Sequence, residues 1–445
     1  MKTRATRRSE TRPASTTTTE AEAVEAQMRR AFTTTYVDEL RERTGYNPRQ
    51  RRGTAFRLML TVVEGFLAGQ TLTFASLRAI FVRRFGFIRS CPFQRRFKQE
   101  AAAAFFREAL KHFVDSVASA AGLALSGPLG RFADVRIYDA TNQRVPPRGR
   151  SELPGCAKNK AGAKWLLSYS IKTGLLDDGL CDAETASEMP LWRRLVPTFT
   201  PGVLYLFDLA FFERAMFASA RAAGAHVLMR LKSTAKVRVL SHASERGRAP
   251  LPGWSLGYFL TVVSKKRGTV FDLDVAWGHG KHEIVLRLVG YAHKANAIRW
   301  YLTTVPRSML TANQIIQGYR LRWLVELLFR ELKQTADLGR SFTADANAVK
   351  ALTYGAMLAH AIVRSVRIQA ALASEVPLEE LRPLASLHVV RAYAREIVDA
   401  LAAPTRVAWE RVASVVGKAL VAFARERHPS RSRSRIALKL GAIGA

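Results

Sequence analysis

The sequence predicts an α/β fold, and three features carry that expectation. Two short apolar runs that read as strands, residues 135–139 and 203–208, each end in an acid, and helical patterns lie between and after them. Residues 236–300 are β-like, with Gly- and Lys-rich turns and no helical period. Long helical patterns flank both sides of this region, before Asp134 and after Thr353.

Taken in order, residues 1–19 are rich in Thr, Arg and Ser and read as a disordered basic arm. Residues 20–43, 54–67, 73–82 and 101–120 read as helices, giving a helical region over 20–128. Within it, residues 83–89 and 94–98 interleave cations with aromatics, a pattern suited to DNA contact; the alternative is a helical cap with solvated arginines. Residues 165–171 and 175–181 read as a hairpin around the turn at 172–174. A helix over 187–195 opens with Ser187 as cap, 209–223 is a helix closed by Gly224, and 226–231 is another strand. Strands are expected at 258–263, 270–275 and 283–289, and a core strand resumes at 301–305. The core therefore spans 129–235 and 300–372, interrupted by a β-rich insertion at 236–299. Residues 373–445 form a helical C-terminal region with a basic tail that includes Arg425, Arg427, Arg431, Arg433 and Arg435.

The chain of 445 residues carries 69 Lys and Arg against 36 Asp and Glu, a net charge of +33. Such an excess self-repels unless a polyanion neutralises it, and nucleic acid is the first candidate. Anionic membrane is the second, yet no apolar run is long enough to cross a bilayer; the longest, 351–363, contains Tyr354 and His360. The N-terminus has no apolar signal region. Cys91, Cys156 and Cys181 have neither a disulfide framework nor zinc spacing, which points to a reducing, cytoplasmic compartment.

The chemistry centres on residues 319–333. On an ideal helix Tyr319, Arg322, Glu326 and Lys333 share one face, and Leu321, Val325, Leu328 and Leu332 form the opposite apolar stripe. Taken alone, this is also what a solvated face with i,i+4 ion pairs looks like. Asp139 and Asp208 supply two more carboxylates at strand ends, where α/β sheets usually bind ligands. Taken singly, Asp139 fits an Asx turn and Asp208 an N-cap. Three converging carboxylates repel one another unless divalent cations bridge them, and Mg²⁺ (or Mn²⁺) suits such oxygen donors. Two such ions can activate an attacking oxygen and stabilise a leaving one in phosphodiester cleavage. His279 and His282 lie three apart in a Gly-rich turn and make a poor metal site.

The spacing Tyr319-x2-Arg322-x3-Glu326-x6-Lys333 resembles the Tyr-Arg-Glu-Lys signature of bacterial insertion-sequence DDE transposases, in the group called insertion sequence family four. Tyr138-Asp139-Ala-Thr141 looks like that family's first-Asp strand, and Phe207-Asp208-Leu-Ala-Phe-Phe its second-Asp segment. Leu-Ala after Asp208 departs from the commoner Arg-Gly, which leaves Asp182 as a fallback. The resemblance, over about 134–370, implies a ribonuclease-H-like catalytic core with a β-rich insertion, flanked by helical N-terminal and C-terminal regions. It implies that Asp139, Asp208 and Glu326 hold two Mg²⁺ ions and that Tyr319, Arg322 and Lys333 grip phosphates. It also implies that Trp300 stacks on a flipped base, the alternative being strand packing.

The expected activity is cleavage of double-stranded DNA at inverted-repeat ends and joining of the 3′ ends to target DNA. A ribonuclease-H-like nuclease and a decayed DNA-binding protein are the rivals. Holding two ends implies a homodimer on DNA, with the helices at 353–372 and 387–401 as candidate contacts, or else simply packed on the core.

Overall fold

The computed structural model describes residues 14–426, apart from 48–52, 70–71, 121–124, 126, 198, 245–246, 264, 295–296, 336–337 and 404. The chain divides into two units, Met1–Leu123 with Ala351–Pro429, and Ala124–Lys350 with Ser430–Ala445.

The first unit is helical. It opens with α1 (Ala14–Arg30), α2 (Thr34–Thr44), α3 (Ala55–Leu67), α4 (Phe74–Phe85), α5 (Ser90–Phe97) and α6 (Glu100–Ala120). Ala14 to Thr19 are helical rather than part of an arm, and the rest of the expected arm lies outside the described residues. The single helix expected over 20–43 is two helices. Thr33 interrupts it, because its hydroxyl accepts the Tyr36 N–H at 3.3 Å and caps α2. Thr73 and Ser76 close a reciprocal capping box at the start of α4.

The cation–aromatic run at 83–98 is only partly a surface. Phe93, Phe97 and Arg96 are buried, and Arg84 is ion-paired to the buried Glu64 and, at 2.6 Å, to Asp399. Arg83, Arg89, Arg95 and Lys98 stay exposed, as does Phe87. The aromatics in this run build the core, because a small helical unit needs large buried side chains to balance its ordering entropy.

The second unit holds one ten-stranded sheet, in the order β3-β2-β1-β4-β5-β10-β9-β8-β6-β7. Its strands are β1 (Asp134–Val145), β2 (Ala161–Ser170), β3 (Leu175–Ala183), β4 (Val203–Phe207) and β5 (His226–Arg230). The rest are β6 (Val237–Ser244), β7 (Gly247–Ser255), β8 (Val270–Trp277), β9 (Ile284–Lys294) and β10 (Ala297–Thr303). Its helices are α7 (Glu188–Leu195), α8 (Arg214–Ala222), α9 (Leu256–Val262), α10 (Ala312–Tyr319) and α11 (Trp323–Thr335). β1 runs parallel to β4, with Val135 opposite Leu204, and β4 parallel to β5; the other pairs are antiparallel.

The sheet corrects several expectations. β1 does not end at Asp139 but continues to Val145, because antiparallel pairing with β2 runs unbroken to Val145–Ala161 and Thr141, Gln143 and Val145 remain buried. Residues 258–263 are not a strand. Ser255 caps α9 by accepting the Tyr258 N–H at 3.2 Å, and Phe259 is its buried anchor. The helix expected over 209–223 starts only at Arg214, after a 3₁₀ turn at Leu209–Phe211. The β-rich segment joins the core sheet, since β10 pairs with β9 on one side and with β5 on the other.

One face of the sheet buries Tyr138, Tyr205 and Phe207 as a stack, with Trp192 of α7 edge-on to Phe207 at 5.4 Å. This fixes β1 and β4 side by side, next to the acids they carry.

Among the described residues, four further α-helices follow: α12 (Ala346–Ala373), α13 (Pro383–Ala392), α14 (Ala394–Ala402) and α15 (Arg406–Ala419). Leu387, Val390, Ile397, Val398 and Leu401 are buried within this unit, so these positions serve packing. The residues of the expected basic tail from Arg427 onward lie outside the described residues. No helix among the described residues is long and apolar enough to cross a membrane.

Candidate active site

Asp139 sits in the middle of β1. Its Oδ1 accepts the Ala140 N–H at 2.8 Å and its Oδ2 faces Arg322 Nη1 at 3.3 Å. Burial pushes the carboxyl up to about 6; the Ala140 N–H and the Arg322 guanidinium oppose this, while Asp208 and Glu326 add to it. Asp208 is the first residue past β4, and its Oδ1 accepts the Leu209 N–H at 2.7 Å, capping the 3₁₀ turn. Because β4 lies parallel beside β1, Asp208 is delivered to the neighbourhood of Asp139. Glu326 lies in the first turn of α11 and accepts from Arg322 Nη2 at 2.9 Å.

Arg322 is thus the hub. One guanidinium spans an acid on a strand 183 residues before it in the chain and one on a helix 4 residues after it. Among the described residues, no three acidic, His or Cys side chains are gathered closely enough to hold one ion. The donor chemistry still suits a hard divalent cation, since Mg²⁺ is usually held by one or two carboxylates together with waters and substrate phosphate oxygens. The upward push that Asp208 and Glu326 exert on Asp139 is the like-charge tension such a cation relieves.

The helix over 319–333 is not continuous. A 3₁₀ turn at Arg320–Arg322 separates α10 from α11 and shifts the phase of the two faces. Tyr319 consequently turns inward: it is buried, its hydroxyl donates to the Phe207 carbonyl at 3.1 Å, and its ring meets Tyr301. Lys333 is exposed and lines an open cavity of about 520 Å³ with Asp139, Ala140, Thr141, Glu326, Phe329 and Arg330.

Trp300 lies on β10 opposite Gly290 of β9 and packs at 5.6 Å on Phe271. A Cβ at Gly290 would run into the indole, so this glycine makes room for it. Its ring is partly buried against the core of this unit. Asp182, on β3, is paired with Arg194 at 3.2 Å instead of with the other acids. His279 precedes, and His282 ends, an exposed 3₁₀ turn at Gly280–His282.

A second charged constellation supports the helix from below, and sequence reading missed it. Arg287 of β9 is buried, forks onto Asp272 of β8 at 2.8 and 3.0 Å, and donates to the Leu310 carbonyl at 2.7 Å. Arg307 bridges Asp272 and Asp274. Together they fix the turn that leads into the Thr311 cap of α10. The only sequence signal was an Arg in an otherwise apolar strand.

Comparison with known proteins places the chain. The sequence profile of the transposase DDE domain matches residues 130–362, just over half of the chain. The transposase for insertion sequence element IS231F of Bacillus thuringiensis subsp. israelensis is 22% identical over 279 residues, covering 52% of this chain and 56% of that protein. The IS231B transposase of B. thuringiensis subsp. berliner is 21% identical over 270 residues, covering 53% and 56%. The chain thus spans about half the length of the curated relatives it matches. A solved piggyBac transposase synaptic complex with hairpin DNA superposes with a TM-score of 0.43 at 14% identity, covering 91% of this chain and 86% of that one. With the profile spanning β1 through most of α12, and with it Asp139, Asp208 and Glu326, this chain belongs to the transposase DDE domain family.

Proposed function

We propose that this protein is the transposase of a bacterial insertion sequence, of the group called insertion sequence family four. It cuts DNA at the element's inverted-repeat ends and joins the 3′ ends to target DNA by Mg²⁺-dependent phosphoryl transfer. The observation that carries this reading is that Arg322 bonds both Asp139 of β1 and Glu326 of α11, while the parallel register of β1 and β4 brings Asp208 alongside Asp139. A ribonuclease-H-like core is supported by the strand order β3-β2-β1-β4-β5, with β1, β4 and β5 parallel and the first three antiparallel.

In this reading Asp139, Asp208 and Glu326 hold two Mg²⁺ ions. When bound, the ions supply charge neutralisation at the scissile phosphate and activation of the attacking oxygen. Arg322 orients Asp139 and Glu326 through its planar fork and is placed to meet a phosphate oxygen. Lys333 adds a point charge at the cavity, and Tyr319 holds the end of β4 through its bond to Phe207, so that Asp208 keeps its place. Trp300 is the candidate for stacking on a base from the cleaved end, in competition with its packing role. The helical unit, with Arg83, Arg89, Arg95 and Lys98 exposed, is the candidate binding surface for duplex DNA. Two ends are held by a homodimer assembled on DNA within the cytoplasm.

The test uses the purified chain and a plasmid that carries the sequences flanking its own gene. Cleavage at those flanks with Mg²⁺, lost in Glu326→Gln while duplex binding persists, is the expected result. Cleavage without strand transfer favours a nuclease. Binding without cleavage in the unmodified chain favours a decayed enzyme.

A further inference from the structure

The row of side chains that holds two of the acids continues past them across the sheet. In the parallel register of β4 and β5, Leu206 pairs with Leu228 and Phe207 with Met229, and Asp208 keeps an extended backbone at φ −84° and ψ 170°. One residue further along both strands, Asp208 therefore lies level with Arg230, the last residue of β5. On the next strand Tyr301 of β10 is the partner of Arg230, and Arg299 stands two residues before it. Side chains alternate between the faces of a sheet, which puts Asp139, Asp208, Arg230, Tyr301 and Arg299 on one face. The opposite face carries Tyr138, Phe207, Met229 and Leu302 in the core. The Tyr301 ring meets Tyr319 and Arg322 bonds Asp139, so the shared face is the one that α10 and the start of α11 cover.

Arg230 and Arg299 are both exposed, and among the described residues neither makes an ion pair or a hydrogen bond through its side chain, although Arg230 has an acid for a neighbour. As diagonal neighbours on adjacent strands they bring two like charges within about 7–8 Å, a cost that a bound anion offsets. Arg320, exposed in the 3₁₀ turn that also carries Arg322, joins them: burial raises the Tyr301 phenol, and Arg299, Arg230 and Arg320 all oppose that rise. The residues lining the cavity beside Asp139 and Glu326 come from β1 and α11, and its cations are Arg330 and Lys333. Arg230 and Arg299 lie two and three strands from β1, on the far side of Asp208. The acids thus stand between two sets of cations.

We propose that Arg230 and Arg299 bind the DNA backbone on one side of the scissile phosphate, with Arg330 and Lys333 on the other. This rests on the reading of the acidic centre as a phosphoryl-transfer site. The ligand is the phosphodiester backbone of the cut strand, bound without regard to base identity. Guanidinium forks suit it, because they present paired N–H donors to phosphate oxygens. With strands about 4.8 Å apart, the backbone of Arg230 lies about 5 Å from that of Asp208 and about 10 Å from that of Asp139. At about 3.4 Å per nucleotide, the phosphate held there is about one to three nucleotides from the cut.

The experiment uses the full chain and a duplex of about 30 base pairs that spans the site it cuts, without Mg²⁺ so that the strand stays whole. Single uncharged methylphosphonates replace phosphates at about one to three positions on either side of the cut, one duplex for each. Affinities are compared for the parent, Arg230→Gln/Arg299→Gln and Arg330→Gln/Lys333→Gln. On the unmodified duplex each double variant should lower the salt slope by about two contacts. A neutral linkage on one side of the cut should weaken the parent about ten-fold and Arg230→Gln/Arg299→Gln hardly at all. Linkages on the other side should weaken that variant as they weaken the parent, and leave Arg330→Gln/Lys333→Gln unmoved. Circular dichroism checks folding; where the glutamine pair does not fold, the single Arg299→Gln, expected to lose about one contact, decides by the same comparison. An unchanged slope, coupling of both pairs to the same side, or losses that add at every position overturns this inference alone. A parent that does not cut its flanking DNA overturns the proposed function, and this inference with it.

Discussion

The hydroxyl of Tyr319 donates to the carbonyl of Phe207, the residue immediately before Asp208. This bond ties the end of α10 to the end of β4, and through β4 to the position of one acid. Tyr319→Phe keeps the ring and removes a buried hydrogen bond, so stability should fall by about 1–2 kcal/mol. Cleavage rate should fall with it while the salt slope of duplex binding stays constant. A lowered slope would show that the phenol contacts phosphate directly.

Arg322 grips Asp139 and Glu326 with two nitrogens of one plane. A lysine carries the charge but cannot span both acids. Arg322→Lys should therefore lose most of the cleavage rate that Arg322→Ala loses, about 100-fold or more by analogy with removal of a preorganised charge-stabilising donor. Single-turnover cleavage assays on both variants check this; full rescue by lysine would show that only charge matters.

Arg287 is buried and forks onto Asp272, so Arg287→Ala leaves a carboxylate and two carbonyls short of donors. Breaking such a buried pair costs about 3–5 kcal/mol. Urea unfolding should register a loss of that size, and a loss below about 1 kcal/mol, typical of an exposed pair, would contradict the geometry.

Asp177 is buried beside Arg136 and its carboxyl is pushed up to about 6, chiefly by burial, with Arg136 and Ser168 opposing and Asp134 and Asp178 adding. The folded state then holds this proton more tightly than the unfolded chain, whose carboxyl titrates near 3.8. The destabilisation is absent below about 4, grows as pH rises, and is complete above about 6. Thermal unfolding should therefore show stability falling between pH 4 and 6 by an amount of order 3 kcal/mol from this group. Asp177→Asn should flatten that part of the profile; an unchanged profile would show that other groups set it.

Gly290 lies under the Trp300 indole. Gly290→Ala should overpack the contact and cost about 1–3 kcal/mol. Trp300→Phe keeps part of that packing, so a large loss of cleavage with little loss of stability would favour a base-stacking role for the indole. Losses that move together would favour packing.

The starts of α3 and α4, the strands that lead to Asp139 and Asp208 and the spacing of Arg322 and Glu326 were legible because each depends on local pattern. Apolar alternation writes the start of β1, an unbroken apolar run writes β4, and threonine caps write the starts of α3 and α4. The 3₁₀ break at Arg320–Arg322 was not legible, since good helix formers run through it and the deciding contacts lie on β1 and β4. The same is true of α9, where a single Ser255 cap and the burial of Phe259 overrode a β-like composition.

By itself the sequence determined which residue types could do chemistry and their order along the chain: Asp139, Asp208, Arg322, Glu326, Lys333. It also determined the excess of positive charge that calls for a polyanion. Only the tertiary structure decided that Tyr319 turns inward, that Asp182 goes to Arg194, and that Arg230 comes level with Asp208. The physical reason is that helix and strand periods are set by neighbours a few residues away. Partners 112 or 183 residues apart are chosen only when burial, sheet pairing and charge are satisfied together.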